Sequence, residues 1–325
     1  MFIGVHLKPK YSIQGMKSMN LDKKIATRQS YGEALKELGK ENENIVVLDA
    51  DLSTATKTEI FAKKFPDRFF DMGISEQDMI GTAAGFATCG KIPYASTFAV
   101  FAAGRAYDQI RNSVCYPKLN VKICATHAGI TVGEDGATHQ MLEDIAMMRT
   151  LPNLQVFSPS DDLEARFIIK EISKIDAPCY VRLSRLATPV IYDENEKFEL
   201  GKAKQIGKGE DATIFATGVC VAEALKAKDI LEKKGIFVRV VDVYSLKPLD
   251  VETVVKCAKE TNRIITVEDH SIIGGLGSCI CETLAEYYPK KVERLGIKDS
   301  FGKSGNATEL MKYFEIDAEA IVKLF

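Results

Sequence analysis

The apolar residues of this chain fall in short continuous runs that alternate with amphipathic segments. The runs IVVLDA (45–50), VKICAT (121–126) and RIITVEDH (263–270) are typical of buried strands in a parallel sheet. Segments between such runs, for example 28–40 and 161–174, have helical spacing. The alternation predicts an α/β fold in which parallel sheets are covered by helices on both faces.

Three local predictions depend on this pattern. Residues 237–246 (FVRVVDVYSL) are mostly apolar and β-branched or aromatic, and predict a single strand. Residues 101–116 predict a single helix, and Thr27 is expected to cap the helix at 28–40.

A stretch rich in proline, glycine and acidic residues interrupts the alternation after residue 187 and is typical of an interdomain linker. The first twenty residues lack the long apolar core of a signal peptide. We predict an N-terminal extension (1–22), a first α/β domain (23–187), a linker (188–209) and a smaller second α/β domain (210–325).

Composition narrows the class of protein. The 325 residues are 46% hydrophobic and 27% charged, with a net charge of -2, so the chain has no overall basic field for nucleic acid. No apolar run approaches the ~20 residues that span a bilayer. Eight cysteines occur without a C-x-x-C pair, which favours buried, reduced thiols and a cytoplasmic location.

The candidate chemistry is concentrated between residues 71 and 140. Glu76 opens a segment rich in glycine and alanine, Phe98 and Phe101 follow an apolar run, and a glycine-flanked loop (127–140) carries two histidines and two acids. Each feature also has a purely structural interpretation: an acid favoured by a helix dipole, core aromatic residues, and turn glycines.

A second acidic motif, VEDH (267–270), invites a metal hypothesis. Adjacent residues of a strand point to opposite faces, so we do not expect Glu268 and Asp269 to share one ion.

Taken together, the motifs resemble the transketolase family. GISEQDMIG (73–81), STFAVF (96–101) and THAGITVGEDGATHQ (126–140) are similar to its pyrimidine-binding domain, and VVDVYSLKPLD (240–250) with VEDHSIIGGLGS (267–278) to its C-terminal domain. The resemblance covers about residues 25–325. It implies two doubly wound parallel-sheet domains and thiamine diphosphate as the cofactor.

The resemblance also implies cofactor-binding residues. Glu76 matches the family's cofactor-activating glutamate, and Phe98 and Phe101 match the residues that hold the aminopyrimidine ring. Asp51 and Ile74 complete this expected set. An apolar pocket would help Glu76 to keep the proton that its role requires.

The implied sugar-side residues come from the loop and from two arginines. His127 and His139 match positions near the reacting sugar, where histidines that titrate near pH 7 could shuttle protons. Asp135 lies at a third such position, and Arg28 and Arg185 match arginines that bind a sugar phosphate. We therefore expect Glu76, His127 and His139 to be catalytic, and Arg28, His127, Asp135 and Arg185 to bind substrate.

Two positions depart from the family pattern. Ala55 replaces a usual serine and Gly104 replaces a usual tyrosine.

The magnesium and diphosphate motif of the family is absent, and a full-length transketolase is about twice as long. The resemblance therefore implies that this chain is a C-terminal subunit that binds a separate N-terminal subunit, and that two copies of each form an α2β2-type heterotetramer. The N-terminal partner would supply Mg²⁺, and this chain would supply no metal ligand. Phosphorylated sugars of the pentose phosphate pathway are the expected substrates, with no nucleic acid or membrane as a partner.

Other interpretations remain open at this point. They are the beta subunit of a 2-oxoacid dehydrogenase, a fragment of 1-deoxyxylulose-5-phosphate synthase, and a non-catalytic transketolase-like binding partner.

Overall fold

The computed structural model describes residues 20–325, with side chains from residue 23 onward. Most of the predicted extension, residues 1–19, lies outside the described residues. The boundary at residue 22 stays a prediction, although a strand begins at Asn20 and pairs antiparallel with the strand Ala187–Val190.

The strands of the described chain are short. In chain order they are β1 Asn20–Ala26, β2 Ile45–Asp49, β3 Phe69–Asp71, β4 Ile92–Phe98, β5 Lys122–Thr126, β6 Gln155–Phe157, β7 Cys179–Arg182, β8 Ala187–Val190, β9 Lys204–Ile206, β10 Ala212–Ala216, β11 Val238–Asp242, β12 Ser245–Lys247, β13 Arg263–Ser271 and β14 Val292–Ile297.

The α-helices alternate with these strands. They are α1 Thr27–Glu41, α2 Ser53–Thr56, α3 Glu59–Ala62, α4 Glu76–Thr88, α5 Tyr107–Gln109, α6 Asp144–Thr150, α7 Asp162–Ile172, α8 Cys220–Lys233, α9 Val251–Glu260, α10 Leu276–Tyr287, α11 Ala307–Tyr313 and α12 Ala318–Val322. Short 3₁₀ turns lie at Pro66–Arg68 and Ile130–Val132.

The first sheet has the order β12-β6-β7-β5-β4-β2-β3 and is parallel except at β12. Alternate residues of β2 pack on opposite faces: Val46 and Leu48 join one apolar cluster, and Ile45 and Val47 join another. Both faces of this sheet are therefore covered, as the continuous apolar runs predicted.

The second sheet has the order β14-β13-β10-β11-β9 and is parallel except at its edge strand β9. The two sheets with their helices confirm the predicted pair of doubly wound α/β units. The boundaries 23–187, 188–209 and 210–325 stay a prediction, although the proposed linker contains β9 and most of β8.

The single strand predicted at 237–246 is wrong. The segment divides into β11, which pairs in the second sheet, and β12, which pairs antiparallel with β6 in the first. The apolar run continues through Val243 and Tyr244, both buried, so the hydrophobic pattern could not mark the break. One consequence is that the second unit contributes a strand to the first sheet.

Two helix predictions also need correction. The segment 101–116 is not one regular helix but two π-helical stretches, Val100–Arg105 and Ile110–Cys115, that flank α5. Thr27 does not cap α1: its hydroxyl lies 3.0 Å from that of Ser184, and the N-cap position is Ala26.

The two units share a buried boundary. One core cluster combines Val46 and Ile145 of the first unit with Phe215, Val254 and Leu276 of the second. The units therefore pack as one body around a common apolar interior.

Candidate active site

The aromatic pair and the first histidine lie at the carboxyl ends of adjacent parallel strands. Phe98 ends β4 and is registered against Thr126, which ends β5 and precedes His127. The rings of Phe98 and Phe101 are 5.8 Å apart with an interplanar angle of 12°, and the His127 ring stacks 3.8 Å from Phe98. In open parallel sheets this edge is where ligands bind.

His139 joins the same cluster from the far end of the loop. Its ring meets Phe101 edge-on at 5.7 Å and Phe98 at 6.4 Å. The fold therefore brings together four predicted site residues that are up to 41 positions apart in sequence.

Glu76 is the first residue of α4, and its side chain is only 5% exposed. Its Oε1 accepts a hydrogen bond from Nη1 of Arg105 at 3.1 Å. The Arg105 guanidinium also lies 4.2 Å from the centre of the Phe101 ring. A cation therefore shares the pocket with the carboxylate, so the surroundings of Glu76 are not purely apolar.

An open cleft of about 470 Å³ adjoins Glu76. Its lining includes Ile74, which is 76% exposed, together with Gln77, Asp78 and Arg105. Gly104 borders open space, because a Cβ built there meets no atom within 4 Å. A larger side chain at residue 104 would therefore extend into open space.

The His127 ring is held on both sides. Nη1 of Arg28 lies 3.2 Å from Nε2, and Thr126 Oγ1 lies 2.8 Å from Nδ1. A guanidinium can only donate, so Nε2 accepts, and the proton of the neutral ring is assigned to Nδ1. Residue 127 also has φ of 57°, in the left-handed region, a conformation that clusters at functional sites.

Burial, followed by the nearby cations Arg28 and Arg185 and by His139, lowers the pKa of His127 to about 3. The expectation that this histidine titrates near pH 7 is therefore wrong. At physiological pH it is a neutral hydrogen-bonding group.

Arg185 lies on the outer side of the loop. Its Nη1 donates to the Val132 carbonyl and to Glu134 Oε2 at 3.2 Å, and lies 3.8 Å from Asp135 Oδ2. Burial and the charge of Arg185 lower the pKa of Arg28. Two arginines and His127 are thus close enough to influence one another electrostatically, an arrangement suited to an anionic group.

Asp51 follows β2 with φ of 58°, and its side chain is exposed. Its backbone N–H donates to Asp71 Oδ1 at 3.1 Å. Arg28 links this region to the site, because its Nη1 also donates to the carbonyl of Ala55 at 2.9 Å. The backbone of Ala55 therefore contributes a contact that the loss of a serine side chain does not affect.

Sequence reasoning missed several residues that organise the site. Asp49 ends β2 fully buried, and its Oδ2 accepts from Thr56 and Thr58 at 2.6 and 2.8 Å, while burial raises its pKa to about 6. An acid at the end of an apolar strand was a visible signal for this role. Arg105 had no local signal, because its contact with Glu76 spans 29 positions.

Among residues 20–325, no helix is long and apolar enough to cross a membrane. Within the same part of the chain, no group of three or more histidine, cysteine, aspartate or glutamate side chains is placed to hold a metal ion.

Comparison with known families assigns both units. The family model of the transketolase pyrimidine-binding domain matches residues 23–190, and that of the transketolase C-terminal domain matches residues 201–321.

Individual relatives agree with this family assignment. A protein named as a transketolase C-terminal section in Methanocaldococcus jannaschii is 54% identical over 299 residues, covering 91% of this chain and 94% of that protein. Transketolase of Rattus norvegicus is 40% identical over 304 residues, which are 92% of this chain and 48% of the rat protein. The chain therefore spans about half the length of that relative.

A solved structure of a split-gene transketolase, described as an inactive β4 tetramer, superimposes with a TM-score of 0.86. It is 53% identical and covers 92% of this chain and 96% of its own.

Proposed function

This chain belongs to the transketolase family, and from that premise we propose that it is the C-terminal subunit of a split, thiamine diphosphate-dependent transketolase. Together with a separate N-terminal subunit, it transfers a two-carbon ketol unit from a ketose phosphate to an aldose phosphate, as in the pentose phosphate pathway. The observation that carries the proposal is the buried Glu76, which lines an open cleft together with Arg105. The Arg105 guanidinium in turn lies over the Phe101 ring, which stacks with Phe98.

The residues present fit the cofactor's aminopyrimidine ring. The rings of Phe98 and Phe101 are nearly parallel, and a side chain at Gly104 would meet no other atom. Glu76 offers a carboxyl group for a hydrogen bond with a ring nitrogen. When bound, thiamine diphosphate supplies the carbon centre that carries the two-carbon unit.

The role of Glu76 is to hold a proton at one carboxyl oxygen. Because Oε1 is engaged by Arg105, we expect this hydrogen bond to open or to shift to another acceptor when the ring binds. Ile74 is well placed to cover the ring from the exposed side of the cleft.

The loop residues act on the sugar. His127 is neutral, so it orients a sugar hydroxyl through a hydrogen bond rather than by releasing a proton near pH 7. His139 and Asp135 complete the polar side of the site, and Arg28 and Arg185 hold the phosphate by charge-assisted hydrogen bonds. Asp51, at the carboxyl end of β2, completes the cofactor set.

A partner subunit is part of the proposal. The N-terminal subunit would supply Mg²⁺ and the diphosphate site, in an α2β2-type heterotetramer. The M. jannaschii relative, which is also a C-terminal section, and the inactive β4 tetramer of the split-gene protein both support a division of labour between two chains. The eight cysteines are all free, which supports a reducing, cytoplasmic location.

The test is reconstitution. We expect no two-carbon transfer from xylulose 5-phosphate to ribose 5-phosphate by this chain alone, and transfer once the N-terminal subunit encoded beside it is added with thiamine diphosphate and Mg²⁺. Full activity of the single chain would overturn the two-subunit proposal. Transfer to lipoamide instead of a sugar would favour the 2-oxoacid dehydrogenase alternative, which the family matches do not favour.

A further inference from the structure

Two adjacent acids of β13 are buried at the boundary between the two units and face opposite ways. Glu268 is 0% exposed and Asp269 is 1% exposed. The oxygens of Glu268 accept from the backbone N–H groups of Leu276 and Gly277, at 2.6 and 2.8 Å, at the start of α10. Glu268 therefore serves its own unit, as an acceptor for the unpaired N–H groups of a helix terminus.

Asp269 serves the other unit. Its Oδ1 accepts from the backbone N–H of Ile130 at 2.8 Å. Its Oδ2 accepts from the Thr131 hydroxyl at 2.7 Å and from the Thr131 N–H at 3.4 Å. One carboxylate thus satisfies the turn Ile130–Val132, which lies between His127 and Asp135.

The approach between Asp269 and this loop is close enough to exclude a side chain. Gly129 has φ of 80°, and a Cβ built there would lie 2.1 Å from Asp269 Oδ2. The carboxylate and the loop backbone are therefore in direct contact, and glycine is required at that position.

We propose that Asp269 is a positioning residue for the loop 127–140, fixing from the second unit the backbone that carries His127, Asp135 and His139. The description of this loop as substrate-facing rests on the proposed function. The anchoring itself rests only on the contacts.

A second contact from the same unit supports the loop further along. Nε2 of Gln140 donates to the carbonyls of Ile130 and Gly133, each at 3.2 Å, and to that of Lys303 at 2.8 Å. The loop is therefore tied to the second unit at its first turn and at its end. Both ties span more than 130 positions of sequence.

Arg182 fixes the backbone of Asp269. Its Nη2 donates to the Asp269 carbonyl at 2.7 Å, and its Nε donates to both oxygens of Asp144, at 2.9 and 3.1 Å. The carbonyl of Asp269 is therefore hydrogen-bonded to the first unit through Arg182, while its carboxylate is hydrogen-bonded to the loop 127–140.

The adjacent acids supply a matched experiment. Asp269→Asn keeps the shape but replaces one accepting oxygen with an NH2 donor, so either the Ile130 N–H or the Thr131 N–H loses its acceptor. Glu268→Gln removes an equally buried carboxylate whose hydrogen bonds go to the start of α10 and not to the loop. In hydrogen exchange measured on the full chain, we expect the amides of Ile130 and Thr131 to exchange roughly tenfold faster in Asp269→Asn. In Glu268→Gln we expect the exchange rates of the Ile130 and Thr131 amides to change only by the same factor as those of the core amides of β2.

Unchanged protection in Asp269→Asn, or equal loosening in both variants, would overturn the proposal. If Asp269→Asn does not fold, Thr131→Val tests the same contact by removing one donor, and faster exchange at Ile130 is again expected. Unchanged exchange at Ile130 in that variant would also count against the anchor.

Kinetics of the assembled complex then separate positioning from general stability. We expect Asp269→Asn to raise the KM for the sugar phosphate roughly tenfold or more, while the affinity for thiamine diphosphate stays unchanged. Glu268→Gln should change neither value. An inactive wild-type complex would refute the proposed function, but it would leave the exchange result to decide on the anchor.

Discussion

Two arginine–carboxylate pairs of nearly equal length occupy opposite environments in this molecule. Arg182 and Asp144 meet at 2.9 Å at the boundary between the units, with side chains 6% and 0% exposed. Arg105 and Glu76 meet at 3.1 Å at the open cleft, with side chains 53% and 5% exposed. The first pair is enclosed by protein on all sides, whereas the second has one partner in solvent.

The environments indicate different roles. The buried pair has further partners, since Tyr180 donates to Asp144 at 2.9 Å and Arg182 donates to the Asp269 carbonyl, so it is part of a satisfied network that fixes the units together. The cleft pair has an exposed cation that can turn into solvent, while its carboxylate partner stays at the edge of the cleft. The buried pair at the boundary stabilises the fold, whereas the pair at the cleft can exchange its hydrogen bond for one to a ligand.

The largest effect should come from the cleft. We expect Glu76→Gln to lower two-carbon transfer by the assembled complex by roughly 10²- to 10⁴-fold, because an amide cannot hold the proton that the role requires. The rate at saturating substrate is the measurement. Glu41→Gln makes the same chemical change at the exposed end of α1, outside the lining of the cleft, and this control should stay within about twofold of wild type. Equal losses in both variants would remove the special status of Glu76.

The next effect should come from the boundary. Arg182→Met leaves Asp144 buried without its cation, so we expect the free energy of unfolding to fall by about 3–5 kcal/mol. Urea denaturation of the chain measures this value. A loss below about 1 kcal/mol would mean that the boundary tolerates an unpaired charge and is more open than the contacts indicate.

A pair of acids at the same boundary predicts a pH dependence. Ser160 Oγ donates to Asp242 Oδ2 at 2.6 Å and lies 3.0 Å from Glu164 Oε2, while the Tyr192 hydroxyl donates to Asp242 at 2.9 Å and Asp161 lies nearby. Burial raises the pKa of Asp242 to about 7 and raises that of Glu164 well above its usual value.

The direction in which stability changes with pH follows from proton linkage. The folded chain keeps a proton that the unfolded chain releases near pH ~4, so this stabilisation is complete below that pH and is lost as pH rises through about 7. Asp242→Asn carries no such proton. The free energy of unfolding of this variant, minus that of wild type, should therefore increase between pH 4 and pH 7. Parallel stability curves over this range would contradict the assignment.

The smallest effect should come from the cation of the cleft. We expect Arg105→Met to change the free energy of unfolding by less than about 1 kcal/mol, because the arginine is more than half exposed. The difference should shrink further in high salt, where exposed charges are screened. A loss as large as that of Arg182→Met would show that the two ion pairs contribute equally to the free energy of unfolding.

Much of the fold could be predicted because its physics is local. The apolar run at 45–50 predicted β2, and the helical spacing of 161–174 predicted α7, since burial of continuous or periodic apolar residues is visible in sequence. The failure at 237–246 has the same origin: the hydrophobic pattern reports burial, and both β11 and β12 are buried, although in different sheets. Which sheet a strand joins depends on contacts remote in sequence.

The site was partly predictable for a different reason. Glu76, Phe98 and His127 were found through motifs, but their environments were not, because Arg105, Arg28 and burial act across long intervals of sequence. The neutral state of His127 is the clearest case. Its sequence neighbours suggest ordinary titration, whereas its spatial neighbours are two arginines.

The central claim is that the cleft at Glu76 is one half of a site that a second chain completes. Calorimetric titration of thiamine diphosphate, with Mg²⁺ present, into this chain, into the N-terminal subunit and into their equimolar mixture tests it most directly. We predict tight binding by the mixture and weak or undetectable binding by each chain alone. Binding by this chain alone that is as tight as binding by the mixture would contradict the claim.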